Sequence, residues 1–146
     1  MKNILILLLF GFSLCYNAEA AVKYARNYCQ HYNPKYQNYV GRGGDCANFV
    51  SQCMIAGGMS FSDCNPRRNG ILSGTKALRD CLTKKGWKYS ITKPRNFIAG
   101  YPMAKTDFSH FIIATHVNGN LVKFCGHTSD VCDGPLKGSV YYFYPQ

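Results

Sequence analysis

Apolar residues at helical spacing in the first half of the chain, two-residue alternation in the second half and turn-forming residues between them predict an α+β domain. Its N-terminal helices are expected to pack on a C-terminal antiparallel sheet. From Ala21 to His31, Val22, Tyr24, Ala25, Tyr28 and Cys29 recur at helical intervals, and Asn33-Pro34 ends the run. A polar loop rich in tyrosine follows over 33–44 and closes on Gly41-Arg42-Gly43-Gly44. Asp45 then stands in N-cap position before a second helix carrying Cys46, Phe49, Val50, Cys53 and Met54, which stops at Gly57-Gly58. Beyond a loop with Pro66 and Asn69-Gly70, Ser73 or Thr75 is placed to cap a third helix bearing Ala77, Leu78, Cys81 and Leu82, ended by Gly86. The period changes to two at Trp87-Lys88-Tyr89-Ser90-Ile91. Phe97 to Tyr101 is expected as a short strand, and Ser109 to Val117 and Leu121 to Cys125 flank an Asn118-Gly119 turn. After a Gly134-Pro135 turn, Val140-Tyr141-Tyr142-Phe143-Tyr144 reads as the last strand.

At the start, Met1-Lys2-Asn3 precedes the apolar run Ile4 to Phe10, and Ala18-Glu19-Ala20 supplies the small-x-small pattern of a signal-peptidase site. Cleavage is expected after Ala20. The apolar run is too short to span a bilayer, so the expected product is secreted, extracellular and without a transmembrane anchor: one domain over 21–146. No linker, repeat or low-complexity tract divides it. The chain carries a formal charge of +10, with basic residues spread over 67–68, 76–88 and 93–95. Such a field draws polyanions without choosing among nucleic acid, anionic glycopolymer and acidic lipid, and nothing in the pattern specifies nucleic acid. A monomer is expected.

The sequence holds eight cysteines, of which Cys15 falls in the expected signal segment. Cys29, Cys46, Cys53, Cys64, Cys81, Cys125 and Cys132 remain. An odd number in an oxidising compartment leaves one thiol unpaired, either reactive or bridged to another molecule. No CxxC pair or HxxxH spacing is present, so no metal site is expected.

Cys46 is the candidate for reactivity. At the first helical position, unpaired backbone N–H groups and the helix dipole favour a thiolate. It also begins an apolar stripe with Phe49, Val50 and Cys53, which turns its sulfur towards whatever the helix packs on. If Asn118 and Gly119 are the central residues of a two-residue hairpin loop, His110 and His127 fall directly opposite one another, with Cβ atoms about 5 Å apart. His116 shares the parity of His110 but lies about 20 Å along the strand, and His31 and His116 are read as structural or surface residues. The expected roles are Cys46 as nucleophile, His110 as general base and acid, and His127 as the group that fixes the His110 tautomer, with Asp130 as its alternative. The Cys46 N–H and a second donor from Asn38 or Tyr39 would stabilise the oxyanion.

The string Gly44-Asp45-Cys46-Ala47-Asn48-Phe49-Val50-Ser51-Gln52 resembles the DCxNFxSQ signature of the amidase branch of the papain-like cysteine hydrolases. Tyr32-Asn33-Pro34-Lys35-Tyr36, Ser109-His110-Phe111-Ile112-Ile113 and Gly126-His127-Thr128-Ser129-Asp130 resemble that branch in order and spacing. The resemblance implies a papain-like, NlpC/P60-type fold and the same roles for Cys46, His110 and His127. It extends to the amidase effectors that bacteria deliver through type VI secretion and to their secreted, disulfide-bearing relatives in animals. These attack bacterial walls, so the implied substrate is an amide in peptidoglycan stem peptides or cross-links, cleaved without a cofactor, with anionic wall polymers as further partners. Beside the signature, the extra cysteines read as bracing. With Cys46 free, Cys29, Cys53, Cys64, Cys81, Cys125 and Cys132 would make three bridges whose connectivity the sequence leaves open, Cys125–Cys132 being one candidate that would close a loop presenting His127. Two other functions stay open: a non-enzymatic cationic antimicrobial or wall-binding protein on the same scaffold, and an amidase or protease acting on other peptides.

Overall fold

Residues 15–146 are described in the computed structural model. Three α-helices, α1 (Ala18–Tyr28), α2 (Cys46–Ala56) and α3 (Thr75–Lys84), precede six strands: β1 (Lys88–Ser90), β2 (Pro102–Lys105), β3 (Phe111–Asn118), β4 (Leu121–Gly126), β5 (Val131–Pro135) and β6 (Val140–Tyr144). The strands form one sheet in the order β1-β6-β2-β3-β4-β5, and every pairing is antiparallel. The fold class is therefore the expected α+β, with helices on an antiparallel sheet.

Helix α2 lies at the centre. Every residue from Cys46 to Met54 is buried, because α1 and α3 flank the helix and the sheet closes it from below. Phe49, Val50 and Met54 meet Leu78 and Leu82 of α3 and Phe111, Ile113 and Phe143 of the sheet in one core. Each large apolar side chain buried there contributes about 1.5–3 kcal/mol. On the other sheet face, Met103, Ile112, Ala114, Val122 and Val140 pack beneath Phe97. The stretch expected as a strand over 97–101 is thus a covering loop, and the strand begins only at Pro102.

Helix α1 starts earlier than its periodicity indicates. Asn17 caps it, its Oδ1 accepting from the Ala20 N–H at 3.0 Å, while the Asn17 N–H donates to Gly57 O at 2.8 Å. The Tyr16 hydroxyl donates to Gly100 O at 2.6 Å, and its ring packs edge-on against Trp87. A Cβ on Gly57 would stand 2.6 Å from a Tyr16 ring carbon, so that glycine is the notch for the tyrosine. The apolar run expected for export lies outside the described residues. Among the described residues no helix is long and apolar enough to cross a membrane.

Three other expectations are corrected. The hairpin pairs Asn118 with Leu121, so its loop is Gly119-Asn120 rather than Asn118-Gly119. Gly119 supplies the positive φ that the first position needs. A bulge between Ala114 and His116 then shifts the ladder to Ile113 opposite Cys125. Gly134-Pro135, read as a turn, ends β5 instead, where an edge strand tolerates a proline. Helix α3 has Gly74 as its N-cap with no side-chain cap bond, and Ser73 Oγ accepts from Arg67 Nε instead.

Two disulfides are present, Cys29–Cys132 and Cys64–Cys81. Cys132 thus bridges to α1 and not to Cys125. Cys53 and Cys125 are buried thiols in the helix–sheet core. Burial pushes both thiols up in pKa and keeps them protonated. With three free thiols beyond Cys15, cysteine arithmetic alone does not single out Cys46.

Candidate active site

Asp45 organises the turn that enters α2. It occupies the N-cap position but makes no cap bond, because both carboxylate oxygens are engaged elsewhere. Oδ1 accepts from the Tyr39 N–H at 2.8 Å and from Asn48 Nδ2 at 2.7 Å, and Oδ2 lies 2.6 Å from His127 Nδ1. The other His127 nitrogen, Nε2, is 2.7 Å from Tyr28 O. The imidazole is sandwiched between Phe49 and Tyr32, with ring centroids 3.9 and 4.1 Å away. With side chains 1% and 0% exposed, His127 and Asp45 form a buried pair in which every polar atom is bonded.

The remaining signature residues extend this network. Asn48 Nδ2 also donates to Gln37 O, Gln52 Nε2 donates to Asn48 Oδ1, and the Tyr24 hydroxyl donates to Gln52 Oε1 and accepts from Asn33 Nδ2. Burial raises the Tyr24 hydroxyl's pKa and keeps it a donor. Ser51 Oγ accepts from the Leu72 N–H and donates to Asn48 O. Asn48, Ser51 and Gln52 therefore tie the 33–44 loop, α1 and the 71–72 segment to one side of α2. A polar side of a helix that is buried all round requires such partners.

Cys46 is the first residue of α2 and is buried. The first intrahelical bond runs from the Phe49 N–H to Asp45 O, so the N–H groups of Cys46, Ala47 and Asn48 precede the ladder and point out of the helix end. That end is an electropositive place for a developing anion.

His110 stands just before β3. The observed register, Ile113 opposite Cys125, is one residue off the one that would pair His110 with His127, and β4 ends at Gly126, leaving His127 in the turn that follows. The expected His110–His127 neighbourhood is corrected accordingly: Asp45 and Tyr28 O occupy both nitrogens of His127, leaving none to orient His110. Instead, His110 and Thr128 line one cavity of about 780 Å³ with Lys105 and Ile112. Thr128 Oγ1 accepts from the Asp45 N–H at 3.2 Å, which joins that cavity to the entry of α2. Burial, and then the charge of Lys105, lower the pKa of His110, so its ring stays neutral and able to take a proton.

The other sequence candidates fall around this centre. Asn38 Oδ1 accepts from the Val40 N–H in a local turn. Tyr39 lines a second cavity and is held through its N–H by Asp45. The Asp130 carboxylate accepts from the Tyr32 hydroxyl at 2.7 Å, and among the described residues no hydrogen bond joins it to His110. His116 is exposed at the far end of β3, and His31 is exposed after α1. Asp63, Cys64 and Cys81 lie close enough together to suggest metal ligands, but both sulfurs are in the disulfide and Asp63 pairs with Lys85 at 2.8 Å. Asp45 is the residue that sequence reasoning cast too narrowly: its place before the helix suggested a cap, and nothing local indicated a partner 82 positions away.

An α2 N-terminus carrying a cysteine, beside a buried carboxylate–imidazole pair and set over an antiparallel sheet, is the central feature of this α+β domain. The family model described as "Putative amidase domain" matches residues 15–99, more than half of the chain, and the chain belongs to that family. The match includes Asp45 to Gln52 and ends before β2, leaving His110 and His127 beyond it. The uncharacterized protein YhbB of Bacillus subtilis (strain 168) is 41% identical over 83 residues, which are 57% of this chain and 23% of that protein. The chain thus spans about a quarter of the length of that curated relative. Among solved structures, the type VI native effector–immunity complex Tae3-Tai3 from Ralstonia pickettii is similar at a TM-score of 0.49 and 17% identity, covering 90% of this chain and 100% of that one.

Proposed function

We propose that the protein is a secreted cysteine amidase that cleaves an amide bond in bacterial peptidoglycan stem peptides or their cross-links. The observation that carries this reading is the position of Cys46 at the first turn of α2, joined through Asp45 and Thr128 to the cavity that His110 lines. Membership of the amidase family supports the reaction class. His110, held neutral by burial and Lys105, takes the Cys46 proton, and the sulfur attacks the amide carbonyl. The N–H groups at the start of α2 stabilise the oxyanion. The tetrahedral intermediate then expels the amine, which receives the proton from His110. Water, deprotonated by His110, hydrolyses the acyl-enzyme and regenerates the thiol. The buried Asp45–His127 pair acts as a brace, holding the Gly43-Gly44 turn and the helix entry in place.

The positive charge of the chain supports adhesion to anionic wall polymers. The deciding experiment is digestion of purified sacculi by the protein and its Cys46→Ala variant, with the released muropeptides identified by mass spectrometry. New fragments from the wild type alone are the expected result and would name the bond. Equal behaviour of the two proteins would sink the catalytic reading in favour of a cationic wall-binding protein.

A further inference from the structure

A second cavity, of about 990 Å³, opens on the other side of the turn that leads into α2. Tyr39, Arg42 and Gly44 form one wall, and Arg67, Arg68 and Ser73 belong to the other. Gly44 lies two residues before Cys46, and a Cβ built on it would stand 3.5 Å from Thr128 Oγ1. The Gly44–Thr128 contact therefore lies between the two cavities, with Gly44 lining one and Thr128 the other, beside the start of α2.

Three guanidinium groups border this second space, and its lining contains no aspartate or glutamate. Elsewhere on the surface, Arg26, Arg79, Lys84 and Lys85 each lie against a carboxylate. Among the described residues, Arg42, Arg67 and Arg68 have no such partner. Arg67 is nonetheless oriented: its Nε donates to Ser73 Oγ at 2.8 Å, and its guanidinium carbon sits 5.9 Å from the centre of the Tyr39 ring. Neutral groups thus hold the guanidinium from behind, leaving its terminal N–H pair for a planar anion.

The walls are anchored. Asn69 Nδ2 donates to Lys35 O at 2.6 Å, the Leu72 N–H to Ser51 Oγ, and the Tyr39 N–H to Asp45, while the Cys64–Cys81 bridge secures the chain just before Asn65. The volume fits several residues of a peptide and exceeds what a simple ion would need.

We propose that this cavity is a carboxylate-recognising subsite, in which Arg67, with Arg42 and Arg68, holds an acidic side group of the peptide whose amide reaches Cys46. The subsite rests on the amidase reading for its role in turnover, but its binding chemistry is measurable without turnover. The probe is a pair of N-acetylated stem tripeptides, one whose glutamate carries a free α-carboxylate and one with that group as the carboxamide. Calorimetric titration of both into the Cys46→Ala protein, which forms no acyl-enzyme, should show the carboxylate form binding about 10-fold or more tighter, the range of a charge-assisted hydrogen bond. In an Arg67→Gln/Arg68→Gln background the ratio should collapse towards one, and Arg42→Gln alone should lower it partly. The carboxamide peptide should bind the double variant as it binds the parent, a result that a general loss of folding would not give. Equal affinities in the parent protein, or a preference that survives the double variant, would overturn the subsite. If the preference is found while sacculi stay intact, the wall-amidase reading fails and the anion subsite stands.

Discussion

His127 is sealed between Phe49 and Tyr32 with both ring nitrogens bonded, whereas His110 borders an open cavity with no side-chain hydrogen bond among the described residues. The two imidazoles are close in sequence and opposite in circumstance. One spends its bonding capacity on holding the chain, and the other keeps a neutral nitrogen available. The contrast teaches that the histidine with the most elaborate partners is here the brace, and the less attached one is suited to proton transfer.

Paired substitutions test that contrast most severely. His110→Ala should lower amide hydrolysis by about 10²–10⁴-fold with little change in the unfolding midpoint. His127→Ala strands the buried Asp45 carboxylate and should cost about 3–5 kcal/mol in denaturant unfolding. If His127→Ala stays folded but inactive while His110→Ala keeps its rate, the roles are reversed and the Asp45–His127 pair is the acid–base unit.

The two disulfides sharpen the comparison from the stability side. Cys29–Cys132 joins positions 103 apart and follows directly on Tyr28, whose carbonyl receives His127, while Cys64–Cys81 closes 17 positions near the surface. Loop-closure entropy assigns about 4.7 kcal/mol to a loop of about 100 residues and about 3 kcal/mol to one of about 15. Paired serine substitutions, compared by denaturant midpoint, should rank in that order. Only loss of the longer bridge should also weaken the His127 brace and with it activity. Unchanged activity after loss of the longer bridge would mean that the brace does not depend on it.

At the N-terminus, Tyr16 and Asn17 are built into the fold although cleavage after Ala20 would remove them. A recombinant chain starting at Ala21 loses the Asn17 cap, about 1 kcal/mol, and the burial of Tyr16, about 1.5–3 kcal/mol. It should therefore unfold at lower denaturant than a chain starting at Tyr16. Equal midpoints would show that these contacts add nothing, and would leave the Ala20 site without a structural cost.

How far the sequence was legible follows from where each interaction is local. The bounds of α2 were readable from Asp45 before it and Gly57-Gly58 after it, and those of β6 from its β-branched and aromatic density. Strand β5 was hidden by Gly134-Pro135, a turn signal that an edge strand can absorb. The hairpin register was ambiguous because Asn118-Gly119-Asn120 contains two overlapping loop windows, and the bulge near Thr115 leaves no pattern of its own. Cys46 and His110 could be picked out by type and context. The Asp45–His127 pair, the Cys29–Cys132 bridge and the partners of Asn48 and Gln52 could not, since each joins residues that only the tertiary fold brings together.

The smallest expected effect is also the most specific. Burial first, and Lys105 second, depress the pKa of His110 below its ordinary 6.5. The unfolded chain therefore takes up that proton more readily than the folded one. The associated stability is present above pH 6.5 and lost as pH falls through the folded pKa. In catalysis the same sign places the acid limb of kcat/KM below 6.5, because the base must be neutral to accept the thiol proton. Lys105→Gln removes a positive charge that disfavours the imidazolium, so the limb should move up in pH by a small amount. The shift should shrink at high salt, since Lys105 is exposed and screened. A limb that ignores Lys105→Gln but moves in Asp45→Asn would tie the titration to His127, and the working nitrogen would have to be sought inside the brace.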